Sequence, residues 1–246
     1  MSTAVHAGHE LRPGVAARML IDDDTRRREE DPFTDHLLGD VGTRAVVWRS
    51  RFEVDLNRPR DAAVYLGPDD AWGLDVWTEA LPDAELRASL VVYDDFYAAF
   101  AERLDRLAAS GPFVVLDVHS YNHRRQGPDG PAAPESDNPE VNVGTGALDQ
   151  QRWGAVVERF IDDLRAERVA GHNLDVRQNV RFRGGHLSRW VAGRYPDTGC
   201  VLAIEFKKVF MDEWTGEPNV AHITEIAGAL AAAVQPTLDT LAGQLR

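Results

Sequence analysis

Segments rich in β-branched residues alternate along this chain with segments whose apolar residues recur at helical spacing. The candidate strands are residues 45–48 continuing toward 52–54, residues 113–118 and residues 200–206, with a very short segment at residues 3–5. This alternation is typical of a sheet covered by helices. It predicts an α/β fold, and the length of 246 residues with no evident linker predicts one domain over residues 1–246.

Helical spacing is clearest at residues 93–109 and 153–168. Residues 222–245 predict a closing helix, which we expect Pro236 to interrupt because proline lacks a backbone N–H. Between residues 126 and 146 the chain is rich in Pro, Gly, Asp and Asn, which predicts a long loop without regular structure. Long loops in folded domains are often functional.

The charge balance narrows the possible partners. Forty acidic residues against 27 basic ones give a net charge of -13, which repels phosphate backbones and anionic lipid. Apolar runs are shorter than the roughly 20 residues that a membrane-spanning helix needs. No signal peptide is visible, and the single cysteine, Cys200, fits a reducing compartment. We therefore expect a cytoplasmic protein that binds neither nucleic acid nor membrane.

The run VVLDVHSY at residues 114–121 is the first motif that can carry chemistry. A continuous apolar run is typical of a buried parallel strand, and functional groups gather beyond the carboxyl ends of such strands. His119 lies at that end, and Asp117 projects to the same side. Asp117 is thus placed to orient the imidazole of a metal ligand. The alternative is an ordinary histidine beside an unrelated aspartate.

A second histidine cluster, HAGHE, occupies residues 6–10. Zinc binds neutral imidazole and carboxylate groups, and a catalytic zinc keeps one position open for water. Histidines on two separate loops with one acidic residue would meet that requirement. The alternative is a solvated terminal segment.

The segment SRFEVDLNRP at residues 50–59 brings together Arg51, Asn57 and Arg58. Guanidinium and amide groups match the geometry of a carboxylate, so this segment is a candidate clamp for an anionic substrate. The alternative is an edge strand with structural ion pairs.

Glu205 stands in the otherwise apolar strand segment VLAIEFKK. A carboxylate in such a strand is costly unless it is paired, binds a metal or transfers a proton. The alternative is a glutamate paired with a basic residue at the end of the strand.

In chain order, these segments resemble the N-formylglutamate amidohydrolase family, which is itself similar to the zinc carboxypeptidases and aspartoacylases. The resemblance covers most of the chain. Its segments are HAG at 6–8, EDPFTD at 30–35, SRFEVDLNRP at 50–59, LDVHSY at 116–121, NVGTG at 142–146, FRGGHLSR at 182–189 and AIEFKKVFMDE at 203–213. The resemblance implies a mixed central sheet flanked by helices, as in zinc carboxypeptidases.

The resemblance also implies a site with one zinc ion per chain. Its ligands would be His6, His119 and an acidic residue. For that third ligand we place Asp31 ahead of Glu10, and Glu10 ahead of His9.

Glu205 would be the catalytic carboxylate, and Arg51 would help to stabilise the oxyanion of the transition state. The remaining substrate contacts implied by the resemblance are Asn57, Arg58, His186 and Arg189.

We therefore expect a zinc-dependent amidohydrolase that cleaves the N-acyl amide, in particular the N-formyl amide, of a small acidic amino acid. One alternative is a carboxypeptidase-type peptidase, and another is a binding module that has lost its metal. Trp72, Trp77 and Trp214 are candidate pocket residues, although such aromatic residues are more often in the core. A homo-oligomer is a further possibility, with Phe210, Met211 and Trp214 at its contact.

Overall fold

The longest strands of the fold lie side by side. Strand β3, Phe113–Tyr121, is buried along its whole length, as its continuous apolar run predicts. Strand β8, Gly199–Lys207, pairs with it in parallel from Phe113 opposite Gly199 to Tyr121 opposite Lys207. The computed structural model describes residues 1–39 and 41–243.

These two strands are the centre of a six-stranded sheet with the order β2-β1-β3-β8-β4-β7. The other members are β1 Ser2–Ala4, β2 Arg44–Val46, β4 Val141–Gly144 and β7 Val176–Gln178. Neighbouring strands are parallel except for β8 and β4, which are antiparallel. The expected mixed central sheet is thus confirmed. Strands β5, Arg168–Val169, and β6, His172–Asn173, form a separate hairpin.

Seven α-helices and three 3₁₀ turns lie between and after the strands in the described residues. They are α1 Pro13–Ala16, α2 Asp23–Glu29, α3 Thr34–Leu37, α4 Asp83–Ser110, α5 Gln150–Ala166, α6 His186–Arg194 and α7 Val220–Gly243, with 3₁₀ turns at Arg60–Ala62, Pro68–Ala71 and Glu135–Asp137. Helix α6 contacts β8, α7 contacts α3 and β3, and α5 packs against α7. The sheet is therefore flanked by helices, as expected. Among the described residues, no helix has the length and apolar character to cross a membrane.

The two periodic segments form helices that begin earlier than predicted. Helix α4 begins ten residues before the predicted start at residue 93, and it buries Tyr93, Tyr97, Phe100 and Leu104 at three- and four-residue steps. Helix α5 begins at Gln150, where the side chain of Asp149 accepts a hydrogen bond from the Gln151 N–H.

Residues 52–54 are not a continuation of the second strand. The chain turns there, with the Glu53 and Val54 N–H groups both donating to the Ser50 carbonyl at 3.0 and 3.3 Å. Phe52 and Val54 are nevertheless buried. Successive turns therefore place these apolar side chains in the core and leave polar residues between them. The resulting alternation is the same sequence pattern that a strand gives.

The predicted structureless loop at residues 126–146 contains β4. Val141 and Val143 are fully buried in this short strand, which pairs with both β8 and β7. Four residues flanked by proline and glycine are too few to show a strand pattern, so the sheet partners decide the conformation.

Helix α7 continues through Pro236, contrary to the expected interruption. The hydroxyl of Thr237 donates to the Ala233 carbonyl at 2.7 Å, and that of Thr240 donates to the Pro236 carbonyl at 3.0 Å. Two threonine hydroxyls thus donate hydrogen bonds to backbone carbonyls near the proline. The predicted end of the helix at residue 245 lies outside the described residues.

The proposed oligomer contact is not an exposed patch. Phe210 and Met211 are buried in the core of the single chain, and Trp214 packs against the Arg28 guanidinium at 3.9 Å.

Candidate metal centre

Three side chains from distant parts of the sequence meet at the carboxyl end of the central strands. His6 follows β1, Asp31 follows α2, and His119 lies in β3. Asp31 Oδ2 is 3.3 Å from His6 Nδ1 and 3.0 Å from His119 Nδ1. All three residues are buried, and one potential ligand atom from each lies within 4.8 Å of the others. Sequence reasoning placed all three residues in one site, and the structure brings them together.

The other nitrogen of each imidazole faces a carboxylate. His6 Nε2 is 2.7 Å from Asp55 Oδ1, and His119 Nε2 is 3.2 Å from Asp117 Oδ1. Asp117 is fixed in turn by the Thr3 hydroxyl, which donates to it at 2.7 Å. Such outer carboxylates hold the Nε2–H tautomer of a ligating histidine and leave Nδ1 for the cation.

The donor atoms fit a divalent cation. His6 Nδ1 is buried and has no hydrogen-bond partner among the described residues, a state that costs free energy unless another group satisfies it. It points to the same place as His119 Nδ1 and a carboxylate oxygen of Asp31. Two imidazole nitrogens and one carboxylate oxygen could therefore hold a metal ion.

The two alternatives for the third ligand lie elsewhere. Glu10 is exposed, and its backbone N–H donates to the Trp48 carbonyl. The His9 imidazole is held between Glu30 Oε2 at 2.5 Å and Arg26 Nη2 at 2.6 Å. Within the described residues, the acidic member of the metal-binding group is Asp31.

Glu205 faces the same site from the neighbouring strand. It is the register partner of His119 in β3 and of Asn142 in β4. Burial raises the pKa of Glu205 to about 7; His119 opposes the shift and Asp31 adds to it. Among the described residues, no lysine or arginine forms an ion pair with Glu205, so the strand-end ion pair is not observed. An unpaired carboxyl with this pKa can exchange a proton near neutral pH.

A cavity of about 150 Å³ opens onto these groups. Arg51 and Asn57 line it. Arg51 donates to Asp55 Oδ2 at 2.8 Å and lies over the Trp72 ring at 4.8 Å. Burial alone would raise the pKa of Asp55, but the positive charge of Arg51 holds it well below its usual value.

Arg58 is placed differently from its clamp partner Asn57. Its guanidinium stacks on Tyr65 at 4.5 Å and donates to the Asp70 carbonyl at 2.6 Å, outside the cavity lining. Tyr65 itself donates to Asp55 Oδ2 at 2.5 Å. Arg58 therefore contacts the aromatic side chain behind the site rather than the cavity.

The segment at the start of α6 holds Asn57 in place. The Leu187 N–H donates to Asn57 Oδ1 at 2.9 Å, and a Cβ on Gly185 would lie 2.2 Å from that same oxygen. His186 is 3.1 Å from the Tyr93 hydroxyl, and Arg189 is exposed. Neither His186 nor Arg189 lines the cavity.

The cavity residues that were not anticipated include Asn122, Arg125 and Lys208. Lys208 directly follows β8, so its strand-end position was the signal that could have identified it. Its Nζ donates to the Glu30 carbonyl at 2.7 Å, and burial lowers its pKa to about 8. Trp72 also lines the cavity and is half exposed, so it belongs to the pocket and not to the core. Trp77 and Trp214 do not line this cavity.

The mixed α/β sheet gathers two imidazoles and two carboxylates at one end of its central strands, and this arrangement is a candidate metal centre. The family model described as N-formylglutamate amidohydrolase matches residues 2–211. The chain therefore belongs to the N-formylglutamate amidohydrolase family, which confirms the resemblance seen in the sequence.

Two solved structures share the fold of this chain. An N-formylglutamate amidohydrolase from Ralstonia eutropha JMP134 aligns with a TM-score of 0.76 at 18% identity, covering 98% of this chain and 93% of that one. A gene product of Agrobacterium tumefaciens aligns at 0.63 and 17% identity, covering 100% and 91%. A metallo-carboxypeptidase from Burkholderia cenocepacia reaches only 0.42, at 16% identity and with 97% and 56% covered, which is too low to indicate a shared fold. No curated protein matches the chain in sequence.

Proposed function

We propose that this chain is a zinc-dependent amidohydrolase that removes the N-acyl group, specifically formyl, from a small acidic amino acid such as N-formylglutamate. The observation that carries the proposal is the buried group of His6, Asp31 and His119 with Glu205 beside it. Glu205 lies opposite His119 on the neighbouring strand and has no ion-pair partner among the described residues. Family membership supports the reaction class.

The donor set supports zinc as the cofactor. His6, Asp31 and His119 would hold one ion through two nitrogens and one oxygen, and this set leaves a fourth position open. When bound there, zinc lowers the pKa of water and polarises a carbonyl oxygen.

Glu205 is the proposed general base and then the general acid. It takes a proton from the water that attacks the formyl carbon, and the new C–O bond forms. It then delivers that proton to the amide nitrogen as the C–N bond breaks, which releases formate and the free amino acid. A pKa of about 7 suits both transfers because it lies near the working pH.

Arg51 is the proposed electrostatic contact of the reacting amide. Asp55 and Trp72 hold its guanidinium at the cavity, so it needs no reorganisation as negative charge develops on the carbonyl oxygen. Asn57 would orient the substrate carboxylate. Arg58, His186 and Arg189 would act through contacts outside the cavity lining, with Arg58 behind Tyr65 and His186 beside Tyr93.

The test is a substrate panel on protein purified without chelator, together with its metal content. We expect about one zinc per chain and the highest kcat/KM for N-formylglutamate, ahead of N-acetylglutamate and of dipeptides with a free carboxyl terminus. Faster cleavage of the dipeptides would favour the peptidase alternative. Absence of both zinc and turnover would favour the binding module.

A further inference from the structure

A second and larger cavity adjoins the metal-centre cavity. It has a volume of about 430 Å³ and lies beneath the proline-rich segment at residues 126–134. Asn122 and Arg125 line both cavities. The inner cavity alone, at about 150 Å³, is smaller than the roughly 300–1,000 Å³ typical of pockets for larger organic ligands, and the outer one falls within that range.

The wall of this outer cavity is fixed to the body of the protein. Buried Glu213 accepts hydrogen bonds from the N–H groups of His123 at 2.7 Å and Arg124 at 2.9 Å. Farther along, the Ala133 N–H donates to the His123 carbonyl at 2.7 Å, and the Asn138 side chain donates to the Pro134 carbonyl at 2.8 Å. The cavity is therefore a built feature of the fold.

Its lining is cationic in a strongly acidic protein. Arg181 donates to the neutral side chain of Asn138 at 2.8 Å, and no acidic group lies within ion-pair distance of it among the described residues. Arg125 is 4.0 Å from Glu29, which already pairs with Arg28 at 2.8 Å. Both guanidinium groups thus keep positive charge available for an anionic ligand.

One part of the remaining wall is apolar. It consists of Pro131, Ala132, Ala133 and Pro134, and His123 and Gln126 complete the lining. Such a wall suits the aliphatic part of a ligand whose charged end reaches an arginine.

Building on the proposed function, we infer that the amine portion of the substrate extends past a single amino acid into the outer cavity, where Arg125 and Arg181 bind its terminal carboxylate. The substrate class is then an N-acylated acidic dipeptide, or a compound of similar length that ends in a carboxylate. The inner cavity takes the acyl group and the first residue, and the outer cavity takes the second.

Three substrates test this inference: N-formylglutamate, N-formylglutamylalanine and N-formylglutamylalaninamide. We expect the dipeptide acid to have a kcat/KM at least tenfold above that of its amide. Arg125→Gln and Arg181→Gln should each reduce this ratio at least fivefold. Turnover of N-formylglutamate by Arg181→Gln should stay within twofold of wild type, because Arg181 does not line the metal-centre cavity. Arg183→Gln is the matched control, because Arg183 is exposed and does not line the outer cavity.

Calorimetric titration of the Glu205→Gln variant with the dipeptide acid and its amide gives a readout that needs no turnover. Tighter binding of the acid than of the amide, lost when Arg181→Gln is added, supports the inference. If none of the three compounds is hydrolysed, the proposed function is rejected, but this binding difference still supports the inference. Equal binding and equal turnover of acid and amide by the wild-type chain would overturn the inference, and hydrolysis of N-formylglutamate in the same assay would leave the proposed function intact.

Discussion

His119 and Glu205 occupy paired positions on adjacent parallel strands at the centre of the sheet. Side chains at paired positions project to the same face, so the backbone hydrogen bonds of the sheet set the separation between a metal-binding imidazole and the carboxyl beside it. Asn142 continues the row on β4. The relation between the two groups is therefore fixed by strand register and not by a loop conformation.

Replacement of the carboxyl tests its role in proton transfer. In Glu205→Gln we expect kcat to fall by about 10³-fold, since general acid–base catalysis contributes roughly 10²–10⁴-fold. Zinc content should stay at the wild-type level because the three ligands are unchanged. Glu158→Gln, on the exposed face of α5, is the control and should keep full activity. Near-normal turnover of the zinc-loaded Glu205→Gln variant would refute the assignment.

The third metal ligand can be identified by metal content alone. Asp31→Asn should purify with little zinc, because it removes the carboxylate oxygen of the metal-binding group. Glu10→Gln should retain about one zinc per chain, because Glu10 is exposed and distant from the group. Atomic emission on the purified proteins measures both. The reverse pattern would assign the ligand to Glu10.

The pKa of Glu205 predicts a pH-dependent stability of the metal-free protein. Burial raises this pKa from 4.5 to about 7, so folding favours the protonated form. That contribution is fully present below pH 4.5 and is lost as the pH rises through 7, up to about 3 kcal/mol. Glu205→Gln carries no such charge.

Urea denaturation in the presence of chelator provides the measurement. From pH 5 to pH 8, the free energy of unfolding of wild type should fall relative to that of Glu205→Gln by an amount approaching about 3 kcal/mol. Parallel pH curves for the two proteins would show that the carboxyl titrates normally in the fold.

Substitution of Arg51 and of Arg58 compares an arginine that lines the cavity with one that does not. Arg51 lines the cavity, whereas Arg58 stacks on Tyr65 behind it. Arg51→Gln should lower kcat/KM for N-formylglutamate by about 100-fold, the usual cost of removing one contact to a developing negative charge. Arg58→Gln should lower it less than about tenfold. Steady-state kinetics of the two variants decides the order, and a larger loss for Arg58→Gln would restore the clamp that the sequence motif suggests.

The central strands and their chemical groups were predictable because local pattern and burial agree there. The run ending at His119 is apolar except for Asp117, and Glu205 is the one carboxylate in another apolar run. Asp31 could be placed only through the resemblance, since nothing in its own neighbourhood marks it as a ligand.

Other features depend on contacts between distant residues, which sequence pattern does not record. Strand β4 exists because β8 and β7 flank it. Arg58 was expected beside Asn57 in the clamp, but the Tyr65 ring and the Asp70 carbonyl draw it away. Arg125 and Arg181 meet at one cavity although 56 positions apart in sequence, and no local signal could pair them.

Strands β3 and β8 are each bonded to neighbours on both sides, whereas the wall of the outer cavity is a surface connection between two strands. Exchange of residues 123–134 would thus leave the reacting groups undisturbed. Selection could alter which compounds this enzyme accepts without rebuilding the apparatus that breaks the bond, and an engineer could diversify the same dozen positions to retarget it.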